Sequence, residues 1–235
     1  MAMVESMTSL WPPRRADTPL AVLMSGGLDS AVLMGEAVAV YPAVHPIFII
    51  TGAVWESAER DHMLRFLGAI ACPALRPLVE LEMPVADLYG DHWSLTGRGA
   101  PDENTPDEAV YLAGRNVILS AKALLWCHFR RVPELATATL ASNPFPDATD
   151  AFYESMAGAV NRSVGGHVRI TRPYAALDLT KAGVLQRGAG MPLQHTFSCI
   201  RPVRGRHCGR CNKCAERRRS FADAGMTDPT EYDLR

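Results

Sequence analysis

Two groups of residues in this chain have types and spacings that can do chemistry. The first is Ser25-Gly26-Gly27-Leu28-Asp29-Ser30, set between an apolar run, Leu20 to Met24, and a helix-like pattern from Ser30 to Val40. Two adjacent glycines between a strand and a helix make a loop whose backbone N–H groups can turn together towards one anion. The positive end of the helix dipole supports them. A Walker A loop would carry a lysine after its last glycine, and none stands here. The loop is therefore read as a phosphate cradle whose neutralising cation comes from elsewhere. Lys181, in "LDLTKAG", is the candidate; the competing reading is an exposed first-turn lysine.

The second group is Cys199, Cys208, Cys211 and Cys214, spaced C-x8-C-x2-C-x2-C within "CIRPVRGRHCGRCNKC". Each C-x2-C lets two sulfurs close on one ion through a tight turn, and four thiolates make a closed tetrahedral zinc site with no position left for water. Disulfides and a redox cluster are the alternatives. The first is poor in a reducing compartment, and no redox partner site is visible for the second. Eight Lys or Arg residues lie between 201 and 219. They read either as a grip on RNA phosphates or as cations offsetting a tetrathiolate zinc. The second reading is preferred because no stacking aromatics are interleaved.

These residues need elements to hold them. At 235 residues, with 48% hydrophobic and 21% charged residues, the chain is long enough for one large α/β domain with a small appendage. Net charge is −1, and no apolar run is long enough for a membrane span. The N-terminus lacks an apolar signal core, and the two remaining cysteines are isolated; a cytoplasmic, reduced protein is expected. Strands are predicted at Leu20–Met24, His45–Thr51, Leu75–Leu81, 134–141 and Val168–Ile170. Helices are predicted at Ser30–Val40, Trp55–Ile70 (Glu56, Glu59 and Arg60 outside), Asn116–Arg131 and Ala151–Val164. That alternation predicts an α/β fold, a parallel sheet covered by helices on both faces, with ligands beyond the carboxyl ends of the strands. The expected organisation is a loose arm over 1–18, the α/β domain carrying the phosphate loop over 19–194, a four-cysteine zinc subdomain over 195–221 and a tail over 222–235. Residues 83–110, with four acids between 102 and 108, three prolines and three glycines, read as an insertion or lid.

S-G-G-x-D-S is the signature of PP-loop ATP pyrophosphatases, matched by Ser25, Gly26, Gly27, Asp29 and Ser30. With Gly114-Arg115-Asn116 in "YLAGRN", and with His195, Thr196 and Cys199 leading into Cys208-Gly209, Cys211 and Cys214, then Arg217, the chain resembles the 7-cyano-7-deazaguanine synthase family over about residues 20 to 221. The resemblance implies a Rossmann-like PP-loop domain. It also implies an ATP-dependent ligase that adenylates 7-carboxy-7-deazaguanine, admits ammonia, and dehydrates the amide with a second ATP, releasing AMP and pyrophosphate. On that reading Ser25, Gly26, Gly27, Leu28, Asp29 and Ser30, with Gly114, Arg115 and Asn116, hold ATP and its Mg²⁺. Asp29, Lys181 and Arg115 are the catalytic candidates. Arg115, a cation at a helix start where the dipole disfavours it, is read as a ligand of phosphate or substrate carboxylate. A homodimer and a non-nucleic-acid, small-molecule partner are further expectations.

The chain also departs from the family pattern around the acyl substrate. "TGAVWESAE" replaces an Asp-Tyr-Gly-Gln stretch. "LASNPFPDATDAFY" replaces one ending in Gly-Tyr-Pro-Asp-Cys, keeping Pro146 and Asp147. Gly183 stands for an acid and Ile200 for an aromatic. Asn143 and Asp147 are candidate contacts to a purine-like edge, or plain turn formers. Three other readings therefore stand beside the synthase: a paralogue passing an adenylated deazaguanine-type acid to another amine, a tRNA-modifying PP-loop enzyme, and a nucleotide sensor without turnover.

Overall fold

The computed structural model describes residues 17–233, so the expected arm over 1–18 lies almost wholly outside the described residues. Five parallel strands form one sheet: β1 (Leu20–Leu23), β2 (Val44–Ile50), β3 (Val79–Glu82), β4 (Glu134–Ala136) and β5 (Arg169–Thr171), in the order β3-β2-β1-β4-β5. The chain winds outward from β1 to β3, then returns to lay β4 on the other side of β1. The strand order thus reverses at β1, and the crevice beyond its carboxyl end is where such sheets bind ligands. Residues 25–30 begin there.

Period-two alternation assigns the two cores. Leu20, Val22, Val44 and Phe48 face α1 (Leu28–Val40), α2 (Glu56–Ala69) and three later helices. Ala21, Ile47, Ile49 and Leu135 face α5 (Arg115–Arg130) and α6 (Asp150–Val164). The intervening α3 (Ala86–Tyr89) and α4 (Trp93–Thr96) are single turns within 83–110. α7 (Pro173–Ala176), α8 (Lys181–Arg187) and α9 (Asn212–Asp223) complete the chain. No helix among the described residues is long and apolar enough to cross a membrane.

Two strand boundaries differ from expectation, each for a local reason. Leu75 makes only an isolated bridge to Val44, and Pro77, which has no N–H to give, interrupts the ladder until Val79. The run 134–141 leaves the sheet after Ala136, because its partner β5 is only three residues long. Thr137 Oγ1 then lies 3.0 Å from Thr139 Oγ1, which reaches Tyr153 Oη at 3.1 Å.

A buried polar group fastens α8 to the sheet domain. Glu36, 2% exposed, accepts from Tyr174 Oη at 2.8 Å and from Arg187 Nε at 2.6 Å. Glu36→Ala leaves a largely buried guanidinium without its counter-charge and is expected to lower stability by about 3–5 kcal/mol in urea unfolding at unchanged m-value.

Candidate functional site

The loop is built to leave N–H groups free. Gly26 has φ +68°, and a Cβ there would stand 3.0 Å from Glu59 Cγ and 3.2 Å from the Glu59 carbonyl, so both conformation and space require glycine. Ser30 Oγ donates to the Gly27 carbonyl (3.3 Å), accepts from the Ser25 N–H (3.2 Å) and lies 3.1 Å from Ser25 Oγ. Gly27 is the N-cap of the thirteen-residue α1 and offers no side chain, so the first N–H groups of Leu28, Asp29 and Ser30 face the crevice with the helix dipole behind them. From outside, the Phe197 N–H donates to the Gly26 carbonyl at 2.7 Å.

Lys181, distant in sequence, is brought to this loop. Its Nζ lies 3.1 Å from Asp29 Oδ2 and 2.6 Å from Glu216 Oε1, and Glu216 Oε2 takes Lys213 Nζ at 2.5 Å. Burial alone would depress the Lys181 ammonium; Asp29 and Glu216 outweigh it and hold the pKa above its ordinary value. Burial would likewise raise Glu216, but the two lysines bring it down to about 2. Asp29 Oδ1 is buried with no hydrogen-bond partner among the described residues, the condition of a carboxylate oxygen that a hard cation would take. Thr180 caps α8 by accepting from the Gly183 N–H, which fixes Lys181 at the first turn.

A cavity of about 550 Å³ opens beyond the loop, lined among others by Ser25, Asp29, Trp55, Glu59, Arg115 and Lys181. Arg115 starts α5 after Gly114, which is in the left-handed region at φ +74°. Among the described residues its guanidinium makes no ion pair; it lies 6.0 Å from the Trp55 ring centroid. Asn116 is turned inward instead: its N–H donates to Asp147 Oδ2 (3.0 Å) and its Nδ2 to the Asp147 carbonyl (2.9 Å). Asp147 thereby caps the start of α5, and Asn143 Oδ1 accepts from the Phe145 N–H in a local turn. Both also line the cavity, with Nδ2 of Asn143 and Oδ1 of Asp147 left over for a ligand edge.

One sequence expectation is corrected here. Glu56 and Glu59 were expected outside on α2, yet each is 7% exposed; only Arg60 is outside, paired with Glu80. They share the buried stripe 56, 59, 63, 66 with Met63 and Phe66, a helical spacing readable in the sequence. Glu56 accepts from the Thr51 and Gly52 N–H groups (2.9 and 2.8 Å), closing the turn after β2. Among the described residues, Glu59 makes no hydrogen bond through its carboxyl. Other residues missed by sequence reasoning are Trp55 stacked on Trp93 (5.7 Å), Tyr111 against Phe145 (4.8 Å), Lys213 and Glu216. The aromatics come from three separate loops, so no local spacing announces them.

The four cysteines converge as expected. All are buried and their sulfurs lie within 4.8 Å of one another, with Cys211 Sγ to Cys199 Sγ at 3.8 Å and Cys208 Sγ to Cys214 Sγ at 4.0 Å. Tetrahedral Zn–S bonds of about 2.3 Å require sulfurs about 3.8 Å apart, so the donor set fits zinc. N–H groups of Arg201 and Cys208 point at Cys199 Sγ (3.4 and 3.3 Å), as expected around thiolate charge. The knot is clasped by residues 83–110, which are folded onto it. Glu103 N–H donates to the Arg210 carbonyl and Asn212 N–H to the Pro101 carbonyl, both at 3.0 Å. Glu103 and Asp107 pair with Arg218 and Arg219, and Glu231 faces Arg206. These pairs engage Arg206, Arg218 and Arg219 with protein carboxylates, which is neither of the two readings that the sequence offered for the basic cluster. Arg217, 1% exposed, ties the Leu193 carbonyl and Ser198 to Thr230, so the segment after 222 is part of the knot's packing.

A doubly covered parallel sheet with an uncapped S-G-G-x-D-S helix start at its reversal point, joined there by Lys181 from α8 and by a lysine and an acid from the four-cysteine knot, defines a PP-loop protein. The chain belongs to the QueC family: the family described as "Queuosine biosynthesis protein QueC" matches residues 20–225. The 7-cyano-7-deazaguanine synthase of Anaeromyxobacter dehalogenans is 32% identical over 224 residues, covering 90% of this chain and 94% of the relative. That of Anaeromyxobacter sp. (strain Fw109-5) is 32% identical over 234 residues, covering 94% and 97%. A solved structure from Methanocaldococcus jannaschii described as a predicted subunit of tRNA methyltransferase aligns at TM-score 0.39 and 15% identity, over 77% of this chain and 92% of that one, too loosely to bear on function.

Proposed function

We propose that the chain is an AMP-forming, ATP-dependent carbon–nitrogen ligase that converts 7-carboxy-7-deazaguanine and ammonia to 7-cyano-7-deazaguanine in the cytoplasm. The observation that carries this reading is the placement of Lys181 beside Asp29 at an uncapped helix start, where the sequence lacks a Walker lysine. The N–H groups of Leu28, Asp29 and Ser30 bind the β- and γ-phosphates of ATP, which depart together as pyrophosphate. Lys181 offsets their charge as the bond to the α-phosphorus breaks. Bound Mg²⁺, with Asp29 Oδ1 as its protein ligand, supplies further neutralisation of the triphosphate. Arg115, which has no ion pair among the described residues, orients the substrate carboxylate towards the α-phosphorus. The resulting adenylate carries a good leaving group, so ammonia attack gives the amide and AMP, and a second adenylation permits dehydration to the nitrile. Zinc in the cysteine knot is structural, its four positions all filled by sulfur.

A second reading is transfer of the same adenylate to a different amine, and it rests on the chain's departures from the family pattern at residues 51–59 and 141–153. Mass spectrometry of products from Mg-ATP, ammonium and 7-carboxy-7-deazaguanine separates the two. AMP, pyrophosphate and nitrile together support the synthase, AMP with an acid stalled before the nitrile supports the second reading, and no ATP consumption contradicts both.

A further inference from the structure

Ammonia is almost wholly ammonium at neutral pH, and ammonium has no lone pair with which to attack. A site that uses it needs a base, and that base must sit where the adenylate forms. Asp29, Glu59 and Glu216 line both cavities of the site, and of these Asp29 and Glu216 are paired with lysines. Glu59 projects from α2 against Gly26, its Cγ filling the space that a Cβ on Gly26 would need. It lines the large cavity together with Ser25, Asp29 and Arg115. It also lines an adjoining cavity of about 160 Å³ that reaches Phe197, Ser198 and Arg217. The residue is 7% exposed, yet its carboxyl makes no hydrogen bond or ion pair among the described residues. Its oxygens are open to the cavities, unlike the sealed Oδ1 of Asp29, so a small cation can reach them.

We propose that Glu59 is the catalytic base that accepts a proton from ammonium at the shared wall of the two cavities. This rests on the ligase reading above. The step balances: Glu59 carboxylate takes one proton from ammonium, leaving ammonia. The nitrogen lone pair then forms the C–N bond at the adenylate carbonyl, the C–O bond to AMP breaks, and the nitrogen's surplus proton leaves to solvent. Its surroundings suit the task. Burial raises the Glu59 carboxyl well above its ordinary value, Arg115 from α5 lowers it in part, and Glu56 on its own helix adds to the rise. Asp29 and Lys181 face it across the cavity. Trp55, itself buried, lines both cavities beside it.

The test separates the two half-reactions. Acid-dependent exchange of labelled pyrophosphate into ATP reports adenylate formation; amide formation reports ammonium use. Hydroxylamine, uncharged at neutral pH, attacks the adenylate without first losing a proton. Glu59→Gln is expected to keep exchange within about twofold, lose amide formation from ammonium by about 10²-fold or more, and keep hydroxamate formation. If Glu59→Gln does not hold its fold by thermal melting, Glu59→Asp replaces it, with the same ordering expected at a smaller loss. Equal loss of exchange, amide and hydroxamate, or loss of none, overturns the inference while leaving the ligase reading standing. Absence of exchange in the unaltered chain overturns the ligase reading, and the inference with it.

Discussion

Cys211→Ser is expected to release bound zinc and to lower the thermal midpoint by roughly 10 °C or more, since each kcal/mol shifts a chain of this size by about 2–4 °C and structural zinc sites carry several. The larger effect is expected on nucleotide binding. Cys211 is the N-cap of α9, and that helix carries Lys213 and Glu216 to the phosphate loop. The same knot supplies the Phe197 N–H that backs the Gly26 carbonyl, and residues 101–107 are fastened to it from the other side. Releasing the ion therefore loosens the loop, the lysine pair and one cavity wall together. Elemental analysis, melting curves and ATP titration check this. Full zinc loss with unchanged ATP affinity would mean that the knot is remote from the site's chemistry.

Lys181→Met is expected to lower kcat/KM for ATP by about 10²–10³-fold, the loss usual for one preorganised charge facing a developing anion. The fold should survive, because Lys181 lies at a helix start capped by Thr180 and is itself partly exposed. Glu216 then keeps Lys213 as its partner, while Asp29 Oδ2 loses its only ion pair among the described residues. Lys181→Arg should recover part of the rate, since charge is restored but the compact ammonium is not. Steady-state kinetics with circular dichroism as the control decide it; a rate within a few-fold of the unaltered chain would place Lys181 outside the chemistry.

How much of this was legible beforehand depended on whether the signal was local. The β1–loop–α1 unit and the cysteine knot are short stretches whose residue types do the work themselves, and both folded where their spacing put them. Lys181 was identified only as the missing cation, and the structure brings it 152 residues along the chain to Asp29 because α8 packs on α1. Glu56 and Glu59 were misplaced for a physical reason: acids on a helix are ordinarily solvated, and the stripe they share with Met63 and Phe66 was outweighed by that expectation. The acids of 102–108 looked like the composition of a loose segment. They are counter-ions for Arg218 and Arg219, a pairing across more than a hundred residues that no spacing displays. The sheet's reversal at β1, which makes the crevice, is likewise a property of strand order and not of any one strand.

The central claim is that a substrate carboxylate attacks the α-phosphorus of ATP in this site. Carboxylate-¹⁸O-labelled 7-carboxy-7-deazaguanine tests it directly, with Mg-ATP and ammonium, the AMP being read by mass spectrometry. The account predicts one ¹⁸O in each AMP phosphate, one labelled AMP for the amide and a second for its dehydration to the nitrile, because each C–O bond that breaks leaves its oxygen on phosphorus. Unlabelled AMP, or label in inorganic phosphate alongside ADP, would contradict it.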